Sequence, residues 1–373
     1  MCKLTIPHCL QITMDDLGWF NGTDDREQGG PSRTGMPRRH CYKDYEAVNK
    51  LGELLDMKIN CAFVLGEWDP DNRLLDVPHL SKFGKNWNNA AYFNKEEAAR
   101  CVEVINNAPY IDIAVHGLLH GYYMAGTDNY DASDYYYEIG GNLHLVDETE
   151  IRRRLDHFFR LLKDHGIQKK INSFIPPNFT YRWNDLARIL KDYGIQYVST
   201  IFETMVYDGE KPTIADIEDC GMVTMDRYNN LIEWDVVDAD MTQLPATQGI
   251  FGVHWPNFLH MDPDRNMKTV ERATEYFKAC SENFGTILSR DLAFCAAQSL
   301  YHRFGKVTHT DTEYVIDLSA IPENPAVEKK FYISTDTPPV RWTGCILREF
   351  EVKKDFINYE VLPDGKTVTI AFA

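Results

Sequence analysis

The sequence predicts an α/β protein, a (β/α) barrel of parallel strands with helices outside, followed by a small β-rich module. Three observations predict it. Short apolar runs alternate with segments of helical period from residue 10 to about residue 290, the order that builds a parallel sheet covered by helices. The run NCAFVL at 60–65 is nearly continuous rather than alternating, which suits a strand buried in a parallel sheet. From about Lys306 the pattern changes to short β-prone runs, EYVIDLS, KKFYISTD and KTVTIAFA, broken by Pro and Asp-Gly. That stretch reads as a small sandwich. Six or seven strand–helix units before residue 290 suit a closed barrel better than a doubly wound sheet. The expected division is therefore a barrel over 1–305 and an accessory β module over 306–373.

Taken in order, the first strand is expected at 10–14, followed by a polar segment over 15–39. That segment exceeds the usual two to six residues of a βα connection and marks a functional loop. A helix over 42–55 carries Val48, Leu51, Leu54 and Leu55, and the strand at 60–65 follows. Helix 95–106 leads to strand 111–115. Helix 149–165, stopped by Gly166, leads to strand 170–175. Helix 183–192, stopped by Gly194, leads to strand 196–199. Strands at 231–236 and 249–254 and a helix at 267–284 complete the barrel.

The chain has 373 residues, 44% hydrophobic and 25% charged, with a formal net charge of −17. An acidic surface repels phosphate backbones and anionic lipid, which argues against nucleic-acid or membrane partners. No apolar run reaches 18 residues, so no transmembrane helix is expected. The nine cysteines include no CxxC pair and read as buried thiols of a reducing compartment. With no signal-like apolar core at the N-terminus, a cytoplasmic location is expected; an exported chain with its signal removed has the same features. Oligomeric state is not legible.

In a parallel barrel, chemistry belongs at the C-terminal ends of strands. There the sequence places Asp15-Asp16, His116 with His120 one turn later, Phe174-Ile175-Pro176-Pro177-Asn178-Phe179, Trp234-Asp235-Val236-Val237-Asp238, and His254-Trp255. Singly, each has an ordinary explanation: Asp caps turns well, and most histidine pairs are incidental. Together they suit one chemistry. Two imidazoles and a carboxylate leave positions open on a divalent metal. A second carboxylate can take a proton from an activated water, and a separate histidine can protonate a leaving group. That is metal-assisted hydrolysis of an amide or ester.

These residues resemble the polysaccharide deacetylases of carbohydrate esterase family four, which share a distorted (β/α) barrel. The likeness runs over about residues 5–290. Thr13-Met14-Asp15-Asp16-Leu17 resembles the first motif of that family, and His116-Gly117-Leu118-Leu119-His120 matches its His-Ser/Thr-x-x-His at both ligand positions. The stretches 174–179, 234–238 and 252–254 resemble the remaining motifs in the family's order. The likeness implies Asp15 as general base, Asp16, His116 and His120 as metal ligands, and His254 as general acid. Zn2+ is the first choice of metal, and Co2+, Ni2+ or Fe2+ would fit the same donors.

Around this centre, Trp19, Trp255, Pro176, Pro177 and Asn178 are expected to wall a substrate groove. Asp235 or Asp238 either holds the tautomer of His254 or sits in a solvated turn. Tyr122, Tyr123 and the aromatic run at 134–137 read as a sugar-binding rim or as loop packing. The departures are Met14 and Leu17, long insertions at 18–39 and 69–94, and above all Ile175, where the family places an arginine beside the base. With no cation nearby, a partly buried Asp15 would have a raised pKa; Arg182, Arg38 and Arg39 are the candidates to reach it. The implied function is a carbohydrate N-deacetylase. A hydrolase of small amides or O-acetyl esters, and a carbohydrate-binding protein without catalysis, are the alternatives.

Overall fold

The computed structural model describes residues 2–20, 35–128, 133–210, 215–216, 221–228, 232–241, 249–310 and 312–373. Strand β1 (Leu4–Thr5) is followed by the long β2 (His8–Leu17), helix α1 (Tyr42–Leu55), β3 (Ile59–Val64), α2 (Lys95–Asn107) and β4 (Ile111–Gly117). A hairpin, β5 (Tyr136–Ile139) with β6 (Asn142–Leu145), precedes α3 (Glu148–Asp164). Then come β7 (Ser173–Phe174), α4 (Trp183–Asp192), β8 (Tyr197–Thr200), α5 (Phe202–Tyr207), β9 (Ala215–Asp216) and β10 (Met222–Tyr228). The barrel ends with β11 (Ile250–His254), α6 (Asn266–Ser281), β12 (Thr286–Leu288) and α7 (Leu292–Phe304).

Seven parallel strands close on themselves in the order β2-β3-β4-β7-β8-β10-β11, and β11 pairs back onto β2. The length of β2 lets it serve two neighbours besides β3: His8 to Leu10 pair with β12, and Gln11 to Asp15 with β11. The helices form for local reasons. Asp147 caps α3 by accepting from the Thr149 amide, and Ile151, Leu155, Phe158 and Leu162 make one buried stripe at the i, i+4, i+7 spacing of a helix face. These residues join the main core around the barrel, where each fully buried Leu, Ile or Phe contributes roughly 1.5–3 kcal/mol.

Two expectations needed correction. The strand expected at 231–236 is absent; residues 232–240 are turn and irregular backbone, and the strand is β10, nine residues earlier. LIEWDV is the more apolar run, whereas MVTMDRY alternates and carries an arginine, so hydropathy favoured the wrong segment. Helix α7 was not expected at all. Its sequence LAFCAAQSLYHRF is apolar nearly all round, which erases the periodic signal. It packs with Cys9, Tyr197, Val223, Met225, Ile250 and Ile287 of the barrel strands in a second core. The polar loop expected after the first strand falls mostly at 21–34, outside the described residues; the second insertion contains short helical turns at Arg73–Asp76, Gly84–Asn86 and Asn89–Ala91.

The C-terminal residues form two four-stranded antiparallel sheets, from β13 (Lys306–His309), β14 (Glu313–Asp317), β15 (Phe331–Thr335), β16 (Arg341–Thr343), β17 (Cys345–Val352), β18 (Ile357–Pro363) and β19 (Thr367–Ala371). The orders are β13-β14-β19-β16 and β1-β15-β18-β17. Ile316, Val368 and Ile370 from one sheet meet Phe331, Ile333 and Val361 from the other. The first strand of the chain thus completes this sheet, by pairing with β15. Tyr301 of α7 stacks on Phe331 with ring centroids 4.5 Å apart, which ties the sandwich to the barrel. No helix among the described residues is long and apolar enough to cross a membrane.

Candidate metal centre

Adjacent residues on a strand point to opposite faces, yet Asp15 and Asp16 both reach groups at the barrel mouth. A bulge makes this possible. Against β3, Met14 pairs with Cys61 but Leu17 with Phe63, so the register slips across the two aspartates. Asp16 takes φ 66 there. A second bulge lies at the next candidate ligand: Phe63 pairs with Val115 and Val64 with Gly117, leaving His116 as the extra residue. His120 also adopts a left-handed backbone, φ 52. Such a conformation costs an L-residue roughly 1–2 kcal/mol, and strain of this kind collects at functional sites.

Asp16, His116 and His120 each offer a ligand atom, all within 4.8 Å of one another. His116 Nδ1 is 2.6 Å from the Ile175 carbonyl oxygen. A carbonyl only accepts, so Nδ1 carries the proton and Nε2 keeps its lone pair, the tautomer a metal ligand needs. That Nε2 lies 3.5 Å from Asp16 Oδ1, at the outer limit of hydrogen bonding, and Asp16 Oδ1 is buried without a hydrogen-bond partner. Donors about an ion with 2.0–2.2 Å bonds in a tetrahedron sit roughly 3.4 Å apart. The donor set, and the separation of Asp16 from His116, therefore fit a divalent cation.

Electrostatics agrees with the geometry. Burial works against ionisation of Asp16, but the neighbouring imidazoles of His116, His120 and His254 outweigh it and hold the carboxyl well below the usual range. Burial likewise opposes a charged His116, and Asp16, Asp15 and the Ile175 carbonyl reverse the effect and raise its pKa. The centre attracts positive charge.

Asp15 is 3% exposed. Its Oδ2 accepts from Arg227 Nη1 at 2.7 Å, and its Oδ1 has no hydrogen-bond partner. Arg227 comes from β10, is fully buried, and lies 5.2 Å from the ring centroid of Phe179. The arginines expected to reach the base are engaged elsewhere: Arg38 with Asp44 at 2.8 Å and Arg182 with Asp185 at 2.6 Å, while Arg39 is exposed. The missing cation thus arrives from another strand. The available signal was the spacing Val223, Met225, Arg227, which sets the arginine on the inward face of a strand. His254 stands opposite Asp15 in the β11–β2 register, and its Nε2 is 3.7 Å from Asp16 Oδ2.

The other expected residues divide. Pro176 and Pro177 are buried beside Ile175, and Asn178 is exposed with φ 52. Trp19 and Trp255 do not wall an open groove; both are buried to within 1% in the main core, and Trp255 stacks on His40 at 3.5 Å. Asp238 accepts from Thr269 and Arg272 rather than from His254. Asp235 is exposed. Tyr122 stacks on Tyr137 and Tyr137 on His144, at 5.1 and 5.3 Å, so these faces pack on one another.

No family profile matches the sequence, and no curated protein matches it either. Solved structures do. Its structural neighbours include family 4 carbohydrate esterases. A family 4 carbohydrate esterase from Bacillus anthracis aligns over 79% of this chain and 84% of its own, at 12% identity and a TM-score of 0.36. A candidate polysaccharide deacetylase from Mycobacterium smegmatis aligns over 82% and 94%, at 12% identity and 0.42. A family 4 pseudoenzyme from Bacillus anthracis aligns over 78% and 66%, at 10% identity and 0.37. At these values the likeness is one of broad architecture, and the chemistry has to be read from the side chains of this chain.

Proposed function

We propose that this chain is a divergent family 4 carbohydrate esterase, a metal-dependent hydrolase of carbon–nitrogen bonds other than peptide bonds, acting as a carbohydrate N-deacetylase. The observation that carries the reading is the convergence of Asp16, His116 and His120 beside a second, separately held carboxylate, Asp15. Asp16, His116 and His120 would hold the zinc, which when bound would supply Lewis-acid polarisation of the acyl oxygen and make water a better nucleophile. The protein does the rest. Arg227 fixes the Asp15 carboxylate through Oδ2, which leaves Oδ1 as the acceptor for the proton of the attacking water. His254, across the same mouth, donates a proton to the departing amine.

The alternative of a carbohydrate-binding protein without catalysis is suggested by Ile175 and by the appended β module; Arg227 at 2.7 Å from Asp15 supplies the cation that Ile175 does not and supports the catalytic reading. The test is release of acetate by zinc-loaded protein from N-acetylated oligosaccharides, run beside O-acetylated sugars and small linear and cyclic amides. Acetate from the N-acetylated set supports the deacetylase. Turnover of the other substrates alone reassigns the substrate class, and saturable oligosaccharide binding without acetate contradicts hydrolysis.

A further inference from the structure

Between the two histidine ligands, the backbone is held by a residue far from it in the chain. Asp134 Oδ1 accepts from the Leu118 amide at 3.1 Å and from the Leu119 amide at 3.3 Å. Two successive amides converging on one oxygen form an anion-binding nest. The carbonyls of the same segment are bonded as well, Gly117 to the Leu65 amide at 3.1 Å and Leu118 to the Gly66 amide at 2.6 Å. Asp134 is fully buried. Arg154 Nη1 lies 3.6 Å from Asp134 Oδ1, while Nη2 donates to the Pro78 carbonyl at 2.7 Å.

Gly117 completes the arrangement. A Cβ at this position would meet Asp134 Oδ2 at 2.1 Å and its Cγ at 2.8 Å. The backbone of Gly117 is not left-handed, so glycine is required here for room and not for conformation. The room is filled by the carboxylate.

We infer that Asp134 is a positioning residue for the metal centre: it sets the angle at which His120 leaves the strand that bears His116, and Gly117 exists to admit it. The inference rests on the proposed metal site. It also gives the β5–β6 hairpin a role, since Asp134 leads directly into it and ties that excursion to the ligand loop.

The test is zinc affinity, measured by competition with a chelating dye, alongside the thermal midpoint of the metal-free protein. Asp134→Ala removes the acceptor and should weaken zinc by about 10–100-fold, as loss of an outer-shell partner does. Asp134→Asn keeps an oxygen for the two amides and should stay within about threefold of the parent, though the charge facing Arg154 is gone. Gly117→Ala, which drives the carboxylate out, should weaken zinc as Asp134→Ala does, and the double variant should be no weaker than either single. If Asp134→Ala does not fold, Gly117→Ala against Asp134→Asn carries the same comparison. Zinc binding that is unchanged in Asp134→Ala, or as weak in Asp134→Asn as in Gly117→Ala, overturns the inference while leaving the metal site standing. A parent protein that binds no zinc contradicts the metal site itself.

Discussion

Arg227 and Asp15, 212 positions apart in the chain, form a buried ion pair inside the barrel, Nη1 to Oδ2 at 2.7 Å. The strands that carry them are not neighbours in the sheet; β11 lies between β2 and β10. The pair therefore lies in the barrel interior and holds the Asp15 carboxylate from below. Removing one partner of such a pair leaves an uncompensated buried charge. Arg227→Ala is expected to lower stability by about 3–5 kcal/mol and to reduce kcat far more than it changes KM. Arg227→Lys, which keeps the charge and loses the fork, should fall between. Chemical denaturation with steady-state kinetics measures both effects.

In the proposed reaction the two adjacent aspartates have different tasks. Asp15→Asn should retain zinc and lose turnover by about 10²–10⁴-fold, the usual worth of a general base. His116→Ala should lose both metal and turnover. Elemental analysis of each variant, followed by acetate release, separates the roles; an Asp15→Asn protein that hydrolyses at the parent rate would remove Asp15 from the reaction.

If His254 protonates the leaving amine, its contribution depends on how much the leaving group needs a proton. His254→Ala should slow amide substrates by about 10²–10⁴-fold. An aryl acetate, whose leaving group departs as an anion, should be much less affected. Equal losses on both substrates would assign His254 a different role.

Away from the site, His8 predicts how stability varies with pH. Burial, with the charge of His302 second, pushes its pKa down to about 4, and the two rings lie 3.7 Å apart. An unfolded histidine titrates near 6.5. Between those values the unfolded chain takes up a proton that the folded one refuses, so stability declines as pH falls from about 6.5 and this contribution levels off below about 4. His8→Gln should flatten that part of the unfolding profile. An unchanged slope would exclude His8 as its source.

How much of this was legible in the sequence depends on the range of the interaction. Helix α4 was readable to the residue, 183–192, because Leu186, Ala187, Ile189 and Leu190 make one buried stripe that Gly194 soon closes. The strand ends bearing Asp15, Asp16, His116 and His254 were readable because each follows a short run rich in apolar residues. Arg227 was missed because a charged residue inside a barrel lowers the apparent hydropathy of its own strand. Asp134 was missed because its partners, Leu118 and Leu119, are apolar residues that offer only backbone amides. Neither relationship leaves a local trace.

One cation decides whether this site is a hydrolytic centre. Crystals of the protein soaked with zinc, measured on both sides of the zinc absorption edge, locate it directly. The expected result is an anomalous peak roughly 2.0–2.2 Å from an Asp16 carboxylate oxygen, His116 Nε2 and a ring nitrogen of His120. A peak bound by other residues, or none at a zinc concentration that saturates the protein in solution, would contradict it.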